Sequence, residues 1–180
     1  MSLLVVGSVA YDAIETPRGK VDRALGGAAT YFAVAASHFT RVNLVGVVGE
    51  DFADSDAEIF ARREIDIAGL ERAPGKTFFW SGRYSDNLNE RTTLVTDLNV
   101  FATFNPKLPE SYRNSRYVFL ANIDPTLQRS VLKQTRRKPR LVALDTMNYW
   151  IERTPGELRE TLKHTDILMI NDSETRQLSS

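Results

Sequence analysis

The sequence predicts an α/β domain built on a mostly parallel sheet with helices on both faces. Residues 3–8 (LLVVGS) and Val42–Val48 are almost unbroken apolar runs, as expected of strands buried on both sides. From Arg116 onward, strand-like and helix-like segments alternate at short spacing, the pattern of a covered parallel sheet. The glycine pair Gly26-Gly27 opens an Ala-rich stretch, Ala28 to Phe39, almost free of β-branching and apolar on nearly every side, which reads as a buried helix.

The remaining elements follow in order. Residues 12–24 carry charges and a Pro17–Gly19 turn, which fits short exposed strands or a loop. Asp54–Glu64 reads as a helix with acidic residues in its first turn. Pro74-Gly75 marks a turn. Thr77–Tyr84 and Arg91–Leu98, rich in aromatic and β-branched residues, form a hairpin around the polar segment 85–90. Arg116–Ala121 is a strand and Thr126–Thr135 a helix introduced by Asp124-Pro125. Arg140–Asp145 is a strand followed by an irregular TMNYW segment, Pro155–Lys163 a helix, and Asp166–Ile170 a strand. Asn171-Asp172-Ser173 then caps a last helix. A parallel sheet stopping there leaves an edge uncovered, so the chain is expected to be one incomplete domain over residues 1–180.

Composition narrows the function. A length of 180 residues supports one domain with a real core. The 23 basic and 23 acidic residues cancel, so nothing points to nucleic acid or a membrane surface as partner. The absence of cysteine excludes disulfides, thiol nucleophiles and cysteine-bound zinc. The two histidines, His38 and His164, are too far apart to suggest a metal site or a triad. The first apolar run is too short for a leader and lacks a basic flank, so the expected location is the cytoplasm. The run Arg136-Arg137-Lys138-Pro139-Arg140 has no interleaved aromatics and reads as a solvated helix end. Asp51, Asp54 and Asp56 lack the glycine and terminal Glu of a calcium loop.

Three places can carry chemistry. Asp12 follows the first strand, where ligands gather in an open α/β sheet, and a carboxylate can accept hydrogen bonds from two hydroxyls. Gly26-Gly27 fits either close helix–strand packing or backbone amides facing a polar ligand at a helix N-terminus. Asn171 and Glu174 fit either a capping box or a pair organising hydrated magnesium and phosphate; their spacing leaves both open. Phe78, Phe79 and Trp80 suit the inner face of a covering hairpin, a dimer interface or a base-stacking platform.

Four motifs stand in a fixed order: VVGSVAYD (5–12), GGAATYFAVAAS (26–37), VGVVGEDF (45–52) and INDSE (170–174). Together they resemble the N-terminal part of the ribokinase-like, phosphofructokinase B-type family of small-molecule kinases. The resemblance implies a three-layer α/β/α fold with a β-lid inserted at about 12–25 and 77–98, truncated before its C-terminal part. It also implies ATP- and Mg2+-dependent phosphorylation of a hydroxyl on a sugar, nucleoside or related polyol. By the same resemblance Asp12, Gly26, Gly27, Tyr31 and Asn99 lie on the substrate side. Asn171, Glu174, Asp145 and Asn148 lie on the nucleotide side, with Glu174 acting on magnesium indirectly. The lid, with its aromatic strand, is expected to pair two copies into a homodimer. Ribokinase-type members carry Asn where Tyr31 and Ala10 stand here, which points to a different polyol such as a nucleoside or inositol. The family's Gly-Ala-Gly-Asp segment, which supplies the anion hole and the catalytic base, has no match in this sequence, so no catalytic residue is assigned and the chain alone is expected to be inactive. The contrasting reading is a non-catalytic module that binds a small polar ligand or dimerises. A Rossmann-type dinucleotide enzyme is disfavoured by the missing glycine fingerprint.

Overall fold

The computed structural model describes residues 2–86 and 91–179. Among these residues ten strands form two sheets. The larger has six strands, all parallel: β1 (Ser2–Val6), β4 (Arg41–Val48), β5 (Asp66–Arg72), β8 (Tyr117–Leu120), β9 (Leu141–Asp145) and β10 (Ile167–Met169), in the order β10-β9-β8-β1-β4-β5. The smaller joins β2 (Ala10–Thr16), β3 (Gly19–Gly26), β6 (Phe78–Tyr84) and β7 (Arg91–Asp97) in the order β3-β2-β6-β7. Its two hairpins meet through a parallel β2–β6 pairing.

Apolar residues alternate between two cores, as a sheet covered on both faces requires. Leu4, Val6, Val45, Val118, Leu120 and Leu144 face one cluster, which is closed by α3 (Pro125–Gln134), α4 (Asn148–Arg153) and α5 (Pro155–Leu162). Val5, Leu44, Val48 and Phe119 face the other, closed by Ala29 and Ala33 of α1 (Ala28–Ala36) and Phe60 of α2 (Asp54–Ala61). The strands after β1 build outward to one side as β4 and β5; those after β8 build to the other as β9 and β10. The order therefore reverses at β1 and β8, and an open α/β sheet binds its ligands beyond the carboxyl ends at such a point.

Some expectations needed correction. Helix α1 ends at Ala36, three residues early, because Ser37–Thr40 turn back on Ala33–Ala36 carbonyls, and Phe39 is 90% exposed. Nor is α1 buried on nearly every side; Tyr31 on its outer face is 55% exposed. Strand β5 was not expected: it is an edge strand whose sequence, DIAGLER, is only partly buried and shows no apolar run. The segment after β9 forms the short helix α4 rather than an irregular stretch. Of the expected hairpin loop, residues 87–90 lie outside those described.

Candidate active site at the switch point

Helix α1 is aimed at the switch point by Ser8, just beyond β1. Its hydroxyl accepts from the Ala28 N–H (3.0 Å) and its carbonyl from the Ala29 N–H (3.1 Å), satisfying two free donors of the first turn. Gly27 precedes the helix at φ 94°, in the left-handed region, and a Cβ there would lie 2.4 Å from the Ser8 carbonyl oxygen. Gly26 has a different reason: a Cβ would fall 2.1 Å from Oδ2 of Asp12. The glycine pair thus packs α1 against β1 and also leaves room for the Asp12 carboxyl group.

Asp12 lies within β2, where the register against β3 slips between Asp12 and Ile14, an irregularity of the kind that re-aims a side chain. Burial raises its pKa to about 6, opposed by the Gly27 backbone N–H that donates to it. Tyr31 stands close enough for the Asp12 and Tyr84 charges to push its phenol up, after burial itself. Across the β2–β6 pairing Asp12 is level with Trp80. The Trp80 ring lies over the backbone of Gly82, occupying the space a Cβ would need, and meets Tyr84 edge-on at 6.5 Å. Asp12 is therefore bordered by aromatic side chains and by a helix N-terminus.

A cavity of about 630 Å³ adjoins this place through Ala28 and is lined by Arg91, Asn122, Asp145, Thr146, Asn171 and Glu174, among others. Arg91, which opens β7, also holds its guanidinium 5.9 Å from the centre of the Trp80 ring. Asp145 is held up to about pKa 6, first by burial and then by the Glu174 carboxylate, against donation from the Asn122 and Thr146 backbone N–H groups. Gln128, fully buried, ties the strand ends together: its Nε2 donates to the Leu120, Ala121 and Asp145 carbonyls. Thr146 is 3% exposed, and its buried hydroxyl has no hydrogen-bond partner among the described residues.

Asn171 and Glu174 form a reciprocal cap on α6 (Asp172–Ser179). Asn171 Oδ1 accepts from the Glu174 N–H (2.9 Å) and Glu174 Oε2 accepts from the Asn171 N–H (3.0 Å). Both still line the cavity, so the capping and the phosphate-facing readings of this motif are compatible. Of the other sequence-predicted residues, Asn148 is exposed at the start of α4 and does not line the cavity. Asn99, at φ 49°, donates through Nδ2 to the Thr77 carbonyl (2.9 Å), joining the chain's exit from the second sheet to its entry. Phe78 stacks on Phe101 and Phe79 packs into the α1–α2 core, leaving Trp80 as the aromatic nearest Asp12. Gly49–Asp51 turn the chain beyond β4, with the Phe52 N–H donating to the Gly49 carbonyl (3.2 Å). Thr77 donates its N–H and hydroxyl to Asp51 Oδ1 (both 2.7 Å) and accepts from the Gly49 N–H. Sequence reasoning missed Ser8, Arg91, Asn122, Gln128 and Thr146; only Ser8, inside the VGS motif, left a trace in the sequence.

The pfkB family carbohydrate kinase model matches residues 1–180, the whole chain. This chain belongs to that family. A cytidine kinase of Thermococcus kodakarensis is 25% identical over 184 residues, covering 99% of this chain and 64% of that enzyme. The Methanocaldococcus jannaschii nucleoside kinase, an archaeal member of the ribokinase family, superposes with a TM-score of 0.77 at 23% identity, covering 99% of this chain and 63% of that one. An ADP-bound ribokinase of Cryptococcus neoformans gives a TM-score of 0.78 at 19% identity, over 98% of this chain and 60% of that one. The ribokinase-like α/β fold expected from the motifs is thus the fold of this pfkB chain. It spans somewhat under two thirds of the length of these relatives. Among the described residues no helix is long and apolar enough to cross a membrane.

Proposed function

We propose that this chain carries the acceptor side and the phosphate-facing side of an ATP-dependent kinase acting on a hydroxyl of a nucleoside. The observation that carries this reading is the setting of Asp12: a half-buried carboxylate beside two glycines at a helix N-terminus, bordered by Tyr31, Trp80 and Tyr84. The carboxylate accepts hydrogen bonds from paired ribose hydroxyls, while the aromatic side chains offer flat surfaces to a base. The names of the cytidine and nucleoside kinases above agree with this choice over a plain sugar.

The second sheet acts as the lid. It is hung from the core by Thr77, Asp51 and Asn99, and it carries Arg91 to the rim of the phosphate-side cavity. Closure over the acceptor expels water and brings the Arg91 guanidinium toward the transferring phosphate. The cavity residues fit a hydrated magnesium ion. Asp145 and Glu174 face one space and repel each other there, a repulsion that a cation relieves. When bound, that ion supplies neutralising charge to the phosphate oxygens. Asn171 holds Glu174 in place through the cap. None of these residues deprotonates the acceptor, a role the family gives to the Gly-Ala-Gly-Asp segment that has no match here. The lid exposes the apolar side chains of Val21, Leu94 and Val95, and we read this exposure as suited to pairing with a second copy.

The test is an ATP turnover screen of the natural full-length protein with nucleosides, free pentoses, hexoses and inositols. Nucleosides are expected to give the highest kcat/KM, and Trp80→Ala to remove that preference. Equal or better turnover of free sugars would refute the nucleoside assignment, and no turnover of any polyol would refute the kinase reading.

A further inference from the structure

The opposite end of the large sheet holds a second, smaller cleft, of about 280 Å³, lined by Ser2, Arg41, Asn114 and Arg116. The strand register builds it. Ser2 of β1 pairs with Arg41 of β4, and Leu3 pairs with Tyr117 of β8, so Arg116 stands level with Ser2 on the other side. Two arginines thus flank one serine across three adjacent strands, their Cα atoms about 10 Å apart at the usual strand spacing. Side chains of that length close on a single small ligand between them.

The charge at this cleft is uncompensated. Among the described residues no carboxylate lines it, and neither Arg41 nor Arg116 has an ion pair or a side-chain hydrogen bond. The neighbouring arginines differ: Arg113 and Arg136 both hold Glu110. The Arg140 N–H donates to the Arg116 carbonyl (2.7 Å), and the Arg136 N–H to the Arg113 carbonyl, which brings the basic run 136–140 alongside and raises the local positive potential further. Guanidinium groups stay ionised at any working pH, so the two cannot relieve their repulsion by losing a proton. An anion can relieve it.

The geometry points to a binding site for a small phosphate-bearing dianion at the amino ends of β1, β4 and β8, remote from the switch point. The two guanidinium forks match phosphate oxygens, and Ser2 and Asn114 add neutral donors. Among the described residues the lining holds no aromatic or apolar side chain to receive a base, which favours inorganic phosphate, pyrophosphate or the phosphate end of a small ester over a whole nucleotide. The six-residue rise from Ser2 to Ser8 separates this cleft from the switch point by about 20 Å. The site therefore stands or falls independently of the kinase reading.

Calorimetric titration of the natural full-length protein with inorganic phosphate and with pyrophosphate tests it. The double variant Arg41→Gln/Arg116→Gln is expected to weaken one binding step at least 10-fold. Arg41→Lys, which keeps the charge but loses the fork, should weaken it about 3- to 10-fold. Arg137→Gln/Lys138→Gln, which removes only background potential, should weaken it less than about 3-fold. A double variant that binds like the parent overturns the site. So does equal weakening by the Arg137/Lys138 pair, which would mean a diffuse basic surface. Tighter binding of single-stranded RNA with increasing length, without competition from pyrophosphate, would assign the patch to a polyanion instead.

Discussion

In the six-stranded sheet the central residues of β1, β4 and β8 are buried, whereas in the four-stranded sheet every residue of β7 is exposed. The first sheet is held by apolar packing on both faces. The second is held by backbone pairing between strands, by a few apolar side chains at its core-facing end (Tyr11, Leu25 and Phe79), and by polar ties to the core: Thr77 to Asp51, Asn99 to Thr77, and the Tyr11 hydroxyl to Asp56 (2.6 Å). Where the two meet, the chain places a half-buried carboxylate, Asp12, that gains nothing for folding by being charged there. Stability resides in one sheet, and the groups read as functional collect along the border with the other.

The largest expected effect lies in the core. Leu120→Ala, at a fully buried position of β8, should cost about 2–5 kcal/mol in urea unfolding, while Leu94→Ala on β7 should stay within about 0.5 kcal/mol. Comparable losses at the two positions would break the division. Gly26→Ala comes next: its methyl group displaces the Asp12 carboxyl group, so nucleoside affinity should fall about 10- to 100-fold while the far-ultraviolet circular dichroism is retained. Thr77→Val removes hydrogen bonds at a buried joint between the sheets and should cost about 1–3 kcal/mol. An unchanged urea midpoint would show that the polar ties do not hold the second sheet.

A smaller effect concerns pH. The folded pKa values of Asp12 and Asp145, about 6, lie above their ordinary value of 3.8. Between these limits the folded chain keeps protons that the unfolded chain releases, so stability falls as pH rises through the window. Asp12→Asn and Asp145→Asn should each melt above the parent at pH 8 and converge with it near pH 4. A variant that melts below the parent at pH 8 would contradict the burial cost assigned to that carboxylate.

This division also governs what the sequence discloses. Strands buried on both faces, such as residues 3–8 and Val42–Val48, are visible as apolar runs, and helix starts such as Asp124-Pro125 as local chemistry. Strand β5 is invisible because an edge strand needs no such run, and the end of α1 because Phe39 is apolar yet points into solvent. At the site, Asp12, the glycine pair and the Asn171–Glu174 spacing are legible as motifs. Arg91, Asn122 and Thr146 are not, since each is one polar residue in an ordinary setting, and only the folding of β7, β8 and β9 brings them to one cavity. Asn99 shows the converse: its place in the chain suggests substrate, and its amide is engaged by Thr77.

The measurement that bears most directly on the central claim is calorimetric titration of a turned-over nucleoside into the natural full-length protein and its Asp12→Asn variant at pH 8. The account predicts about a 100-fold loss of nucleoside affinity, equivalent to two charge-assisted hydrogen bonds, with ATP affinity unchanged. Unaltered nucleoside binding, or an equal loss for ATP, would contradict the assignment of Asp12 as the acceptor-binding carboxylate.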